Sequence, residues 1–205
     1  MPRINRKTTP KVRDGRVRKK NRTAETPNFL NTPHRWPTID RRRPGAGFRH
    51  VVTKRDVEKF LELLPDWDEL SIGLTAIIVD SGWDNVMGWH EPGVVALCAW
   101  DADLWIQHNH PFYAEHRSIL ERLGVPTRKV RGNDGTYVEC RYTEETAKAF
   151  LLLHILLHEL GHHHDRMATR SKADSARGEG YAEAYALRYF DHIFDRYCDV
   201  FDFHP

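Results

Sequence analysis

The pentapeptide His158-Glu159-Leu160-Gly161-His162 places two imidazoles four residues apart with a carboxylate beside the first. Residues four apart on a helix share a face, so the two rings can converge on one metal ion. Glu159 lies one residue round from His158, where its carboxylate can take a proton from a water at the metal without itself being a ligand. That combination suits a hydrolytic zinc site with its own general base. The bare pattern says little in a chain with 13 His among 205 residues. Its surroundings say more: Phe150 to Leu157 is apolar except for His154, as expected of a helix buried on nearly all sides. Imidazoles and a carboxylate at the end of such a helix need partners, because an unpaired buried polar group costs about 2 kcal/mol or more. A metal supplies them.

Two His require a further protein ligand, with the remaining position kept for water. A metzincin would place Gly at 165 and His at 168, but those positions hold Asp165 and Ala168. Downstream, Gly178-Glu179-Gly180-Tyr181-Ala182-Glu183-Ala184-Tyr185-Ala186 reads as the opening of a second helix. Glu179 and Glu183 fall on one face, which continues as Ala182, Ala186, Phe190 and Ile193, so two carboxylates begin an otherwise apolar stripe. The residues alone leave open which Glu binds the metal.

With sixteen residues between His162 and Glu179, the arrangement resembles the gluzincin zinc metallopeptidases, thermolysin-like enzymes and their minimal single-domain relatives. The resemblance runs from Thr143 to Cys198. It implies one Zn2+ held by His158, His162 and Glu179, Glu159 as catalytic base, and Glu183 orienting a ligand imidazole. It also implies a zincin-like domain, with an edge strand beside the cleft able to bind extended peptide; Val94 to Trp100 is the candidate strand. Possible transition-state donors are Tyr181, Tyr185 and His163, with His164, His108 and His110 as further candidates by residue chemistry. His163, His164 and Asp165 together read as a solvated helix end rather than a second metal site, and His154, four residues before His158, as a hydrogen-bonded core histidine rather than an alternative metal-binding pair with His158.

The elements that must position these groups follow from the patterning. Thr53 and Asp56 open a helix with the stripe Val57, Phe60, Leu61 and Leu64, stopped by Pro65. Leu74 to Val79 and Val94 to Trp100 read as strands, with Val86 to His90 a shorter one. The run from Trp105 to Pro111 could line the cleft, but reads first as a solvated loop. Phe112 to Leu123 reads as a helix, and Gly132 to Gly135 as a turn between Lys129-Val130 and Tyr137 to Tyr142. Thr143 caps the long site helix, and a glutamate helix runs from Glu179 to about Tyr197. The expected class is α+β: a small antiparallel or mixed sheet, covered on one face, packed on the active-site helix and the following glutamate helix. The small Ala182 and Ala186 would let those two helices approach closely.

Charge divides the chain. Residues 1 to 43 carry 14 Lys and Arg against 3 acids, net +11, and the remainder nets −9. Residues 1–46 are expected to be a basic disordered tail and Pro-rich connector, and 47–205 the folded domain. No apolar run is long enough for a membrane span and no apolar core follows the basic start, so a cytoplasmic protein without a secretory signal is expected. The three cysteines, at 98, 140 and 198, have no metal spacing and suit a reducing compartment. The leading expectation is a zinc peptidase acting on peptide or protein. Two alternatives remain: a nucleic-acid-associated protein binding phosphates through residues 1–43, and a zincin-like scaffold that binds metal without cleaving anything.

Overall fold

The computed structural model describes residues 12–13, 16–17, 36–83, 85–132, 135–169 and 176–205; the expected disorder of the tail falls almost wholly outside them. Within the tail, Val12–Arg13 (β1) pairs antiparallel with Arg16–Val17 (β2). The principal sheet has four strands. Thr38–Arg41 (β3), Ala76–Asp80 (β5) and Val94–Cys98 (β7) run parallel, and Gly88–Glu91 (β6) pairs antiparallel with β7, giving the order β3-β5-β7-β6. Between β3 and β5 lie Phe48–Arg49 (β4) and the helices Lys54–Leu61 (α1) and Trp67–Leu70 (α2); β4 pairs with Trp100–Asp101 (β8). Trp105–Asn109 (β9), Thr127–Gly132 (β10) and Gly135–Arg141 (β11) form an antiparallel sheet in the order β10-β11-β9, with helix His110–Arg122 (α3) between β9 and β10. The chain is thus α+β.

Three expectations change here. The fold begins before residue 47: β3 is a strand of the main sheet, Trp36 stacks on Trp67 at 5.7 Å, and Arg42 pairs at 3.2 Å with buried Asp80. Asp80 also accepts from Trp89 Nε1 at 3.0 Å, so one carboxylate ties β5 to β6 and to the chain leaving β3. Second, Val94–Cys98 is not an edge strand. It is buried at every position between β5 and β6, the pattern of an interior strand, whereas β6 is only half-buried and forms the edge. Third, the sheet is not covered on one face only. Ile77, Val79, Val95 and Leu97 join the main core, while Ala76, Ile78, Val94 and Ala96 pack with Trp89 on the other side.

The helices start where local chemistry allows. Thr53 and Asp56 exchange side-chain and backbone hydrogen bonds at the head of α1, and Thr143 and Thr146 do the same at Glu144–Phe150 (α4). From α4 the helix continues through a π-helical segment, Leu151–Leu156, into Leu157–Ala168 (α5). Those six residues are all buried, and each Leu so placed contributes about 2 kcal/mol by leaving water. Glu179–Phe201 (α6) ends at Asp202, which adopts a left-handed conformation. Gly161 and Ala182 bring α5 and α6 into close contact: a Cβ at Gly161 would lie 2.9 Å from Ala182 Cα. Cys98 and Cys140 are buried, and burial pushes their thiols up to about 12 and about 11, so they act as small apolar residues. Among the described residues, no helix is long and apolar enough to cross a membrane.

Candidate metal centre

His158 and His162 face the same way from successive turns of α5, with their Nε2 atoms 3.1 Å apart. Glu179, the first residue of α6, places Oε2 3.1 Å from His158 Nε2 and 3.3 Å from His162 Nε2. The three atoms form a nearly equilateral triangle. Ligands bound at about 2.0–2.1 Å to one tetrahedral ion are separated by roughly 3.3 Å, so this donor set fits a zinc ion with little adjustment. The chemistry agrees with the distances. His158 Nδ1 lies 3.2 Å from Glu183 Oε2; when it donates there, a neutral ring turns a bare Nε2 lone pair toward the Glu179 carboxylate. A cation between them resolves that opposition.

The two glutamates are thereby distinguished. Glu179 Oε2 faces both Nε2 atoms, whereas Glu183 Oε2 takes the far nitrogen of His158 and fixes its ring. Burial opposes charge on His158, but the hydrogen bond that its Nδ1 donates to Glu183 and the charges of Glu159, Glu183 and Glu179 outweigh it and raise its pKa. Burial likewise opposes ionisation of Glu183; the His158 hydrogen bond and the nearby His154 and His116 prevail and lower its pKa. His162 moves down instead, through burial and then the neighbouring His90 and His158.

Glu159 is buried beside His158 and His162, and its Oε2 is 3.2 Å from Nδ1 of His90 on β6. The His90 ring also stacks on His162 at 4.2 Å. His90 was not foreseen in the sequence: it lies 69 residues from Glu159, on a short strand with no ligand spacing. Only strand pairing brings it to the site. Gly88, two residues earlier, clears the space above Glu159, since a Cβ there would sit 2.8 Å from Glu159 Oε1.

A cavity of about 840 Å³ opens over the centre, lined by His158, Glu159, Glu179 and Glu183 together with apolar residues such as Met87, Trp100 and Phe112. The Trp105 to Pro111 segment is not a solvated loop. Its β9 portion pairs with β11, and Ile106, Gln107, His108 and Asn109 line the cavity. His108 is buried, with Nε2 3.3 Å from the Tyr142 hydroxyl, and burial followed by the charge of His116 pulls it down to about 4. His110 is exposed at the start of α3.

The other suggested donors lie elsewhere. Tyr181 and Tyr185 each stand two residues from a glutamate of the ligand face, about 200° round α6. Tyr181 pairs its hydroxyl with His164 Nδ1 at 2.7 Å, and Tyr185 packs between the rings of His164 and Tyr189. His163 donates from Nε2 to the Ile72 carbonyl at 3.0 Å. The expected solvated helix end is instead largely buried: Asp165 is fully enclosed and holds both the backbone N–H and the guanidinium of Arg177. His154 is buried too, but its Nδ1 has no hydrogen-bond partner among the described residues, and burial drives it down to about 3. A comparison with protein-family models, curated proteins and solved structures finds no match to this chain, so its functional reading rests on these residues.

Proposed function

We propose that the protein is a zinc-dependent metallopeptidase of the zincin type, hydrolysing peptide bonds of a peptide or protein substrate bound along the cavity. The observation that carries this reading is the triangle of His158 Nε2, His162 Nε2 and Glu179 Oε2 with a buried carboxylate, Glu159, next to it in sequence and in space. When bound there, zinc supplies Lewis acidity toward a carbonyl and makes a water more acidic. Glu159 holds the proton taken from the attacking water and hands it to the leaving amine, which requires a carboxylate within hydrogen-bond reach of both. His90 keeps the Glu159 carboxylate turned toward the cleft by occupying Oε2, leaving Oε1 beneath Gly88 as the working oxygen. Glu183 keeps His158 presenting Nε2 to the ion. Among the described residues the half-buried strand β6 is an edge of its sheet, and its outer side would take an extended chain by strand addition.

The test is to purify the full chain, measure zinc, and assay cleavage of an unfolded protein such as casein. We expect one tightly held zinc, lost in His162→Ala, with Glu159→Gln retaining zinc while turnover falls by about 10²–10⁴-fold. A chain that binds no zinc, or a Glu159→Gln variant with undiminished cleavage, overturns the proposal. Wild-type protein that binds zinc but cleaves nothing supports the non-catalytic scaffold instead.

A further inference from the structure

A second set of ligand-type groups converges on the same cavity, one turn further down the long helix. His116 comes from α3, His154 from the π-helical segment and Glu183 from α6, and one donor atom from each lies within 4.8 Å of the others. His116 donates from Nδ1 to the Phe112 carbonyl at 2.8 Å, which in the neutral ring leaves a lone pair on Nε2. That Nε2 is 4.0 Å from Glu183 Oε1, and His154 Nε2 is 3.6 Å from Glu183 Oε2. Both separations exceed a hydrogen bond. Glu183 Oε1 is buried with no hydrogen-bond partner among the described residues, and His154 is 1% exposed with its Nδ1 likewise unpartnered. Local hydrogen bonding therefore does not explain why two imidazoles and a carboxylate are gathered here in the cavity wall.

Backbone geometry also favours the cluster. A π turn takes more residues than an α turn, and such insertions concentrate at functional sites. Here it lies across Leu151–Leu156 and contains His154, which lines the cavity together with His158. The donor set of two imidazoles and one carboxylate suits divalent first-row transition metals, with open positions left for water or substrate.

We propose that His116, His154 and Glu183 form a second metal site for a divalent transition-metal ion, joined to the first through the Glu183 carboxylate. The ligand atoms, all within 4.8 Å of one another, draw in by up to about 1.5 Å toward the roughly 3.3 Å spacing of a shared ion. Glu183 would thereby connect the two centres, one oxygen on the second ion and the other on His158 Nδ1. This inference does not depend on peptidase activity.

The full chain, stripped with chelator and reloaded with excess Zn2+ or Co2+, tests it by metal analysis and by anomalous scattering from crystals. Two ions per chain are expected, with one anomalous peak within bonding distance of His116, His154 and Glu183. His116→Ala should lose that ion and keep the other; His162→Ala should do the reverse. A single ion at His158, His162 and Glu179 overturns the second site and leaves the proposed function standing. No ion at all overturns both. Should His116→Ala fail to fold, the wild-type anomalous map alone decides.

Discussion

Gly161→Ala sets two effects of opposite sign against each other at the heart of the pentapeptide. Within a helix, replacing Gly by Ala stabilises by about 1 kcal/mol through the unfolded chain's lost freedom. At this position the new Cβ would stand 2.9 Å from Ala182 Cα and 3.1 Å from both Ala182 O and Tyr185 Cβ. The nearest obstacle is backbone of a buried helix, so no side-chain rotation relieves it and α6 must shift. Overpacking of this kind costs about 1–3 kcal/mol, which leaves a net loss of about 0–2 kcal/mol. The same shift carries Glu179 away from His158 and His162. Ligand geometry tolerates about 0.2 Å, so zinc affinity should fall by about tenfold or more. Denaturant unfolding of the metal-free protein gives the first quantity and competition with a chromogenic chelator the second. Gly180→Ala is the control: a Cβ there meets nothing within 4 Å, so it should be neutral or slightly stabilising. A Gly161→Ala variant at least as stable as wild type and equal in zinc affinity would refute the argument that this contact sets the spacing of the site.

Gly88→Ala should leave zinc bound but reduce peptide cleavage by about 10²-fold, because the methyl displaces Glu159 Oε1 from a point 2.8 Å away; equal turnover in kinetic assays would contradict it. Acid should weaken the metal-free fold in part through His108. Its pKa of about 4 in the folded chain lies below the unfolded 6.5, so its contribution is complete above pH 6.5 and is lost as pH falls from 6.5 toward 4. That loss amounts to about 3 kcal/mol, and urea titrations at pH 7.5 and 4 should show a correspondingly smaller difference for His108→Gln; parallel losses in the two proteins would count against it. Deleting residues 1–35, which precede Trp36 and β3, removes a net charge of +9 (11 Lys and Arg against 2 acids) and should abolish any salt-sensitive nucleic-acid binding while leaving zinc content unchanged. Equal binding before and after deletion would remove the tail from consideration.

Much of the local structure was legible in the chain. Thr53 and Asp56, and Thr143 at the site helix, announce helix starts because capping depends on residues three apart. The apolar run Leu74 to Val79 and the turn at Gly132 to Gly135 likewise announce themselves as strand and hairpin. What misled was exposure. Trp105–Asn109 holds three polar residues and an exposed Trp, and reads as loop until β11 supplies its hydrogen bonds. Thr38–Arg41 lies among prolines and arginines, and becomes a strand only because β5 offers a parallel edge and Asp80 an ion pair for Arg42.

The same division runs through the candidate site. The four-residue spacing of His158 and His162, the adjacent Glu159 and the four-residue spacing of Glu179 and Glu183 are properties of one helix each, and helical periodicity alone puts each pair on a face. Which glutamate meets the Nε2 atoms is decided by how α6 approaches α5 across Gly161 and Ala182. His90 at the base, and His116 beside Glu183, come from a strand and a helix distant in sequence. No periodicity encodes such meetings, because they follow from strand pairing and core packing, in which every buried residue of the domain takes part.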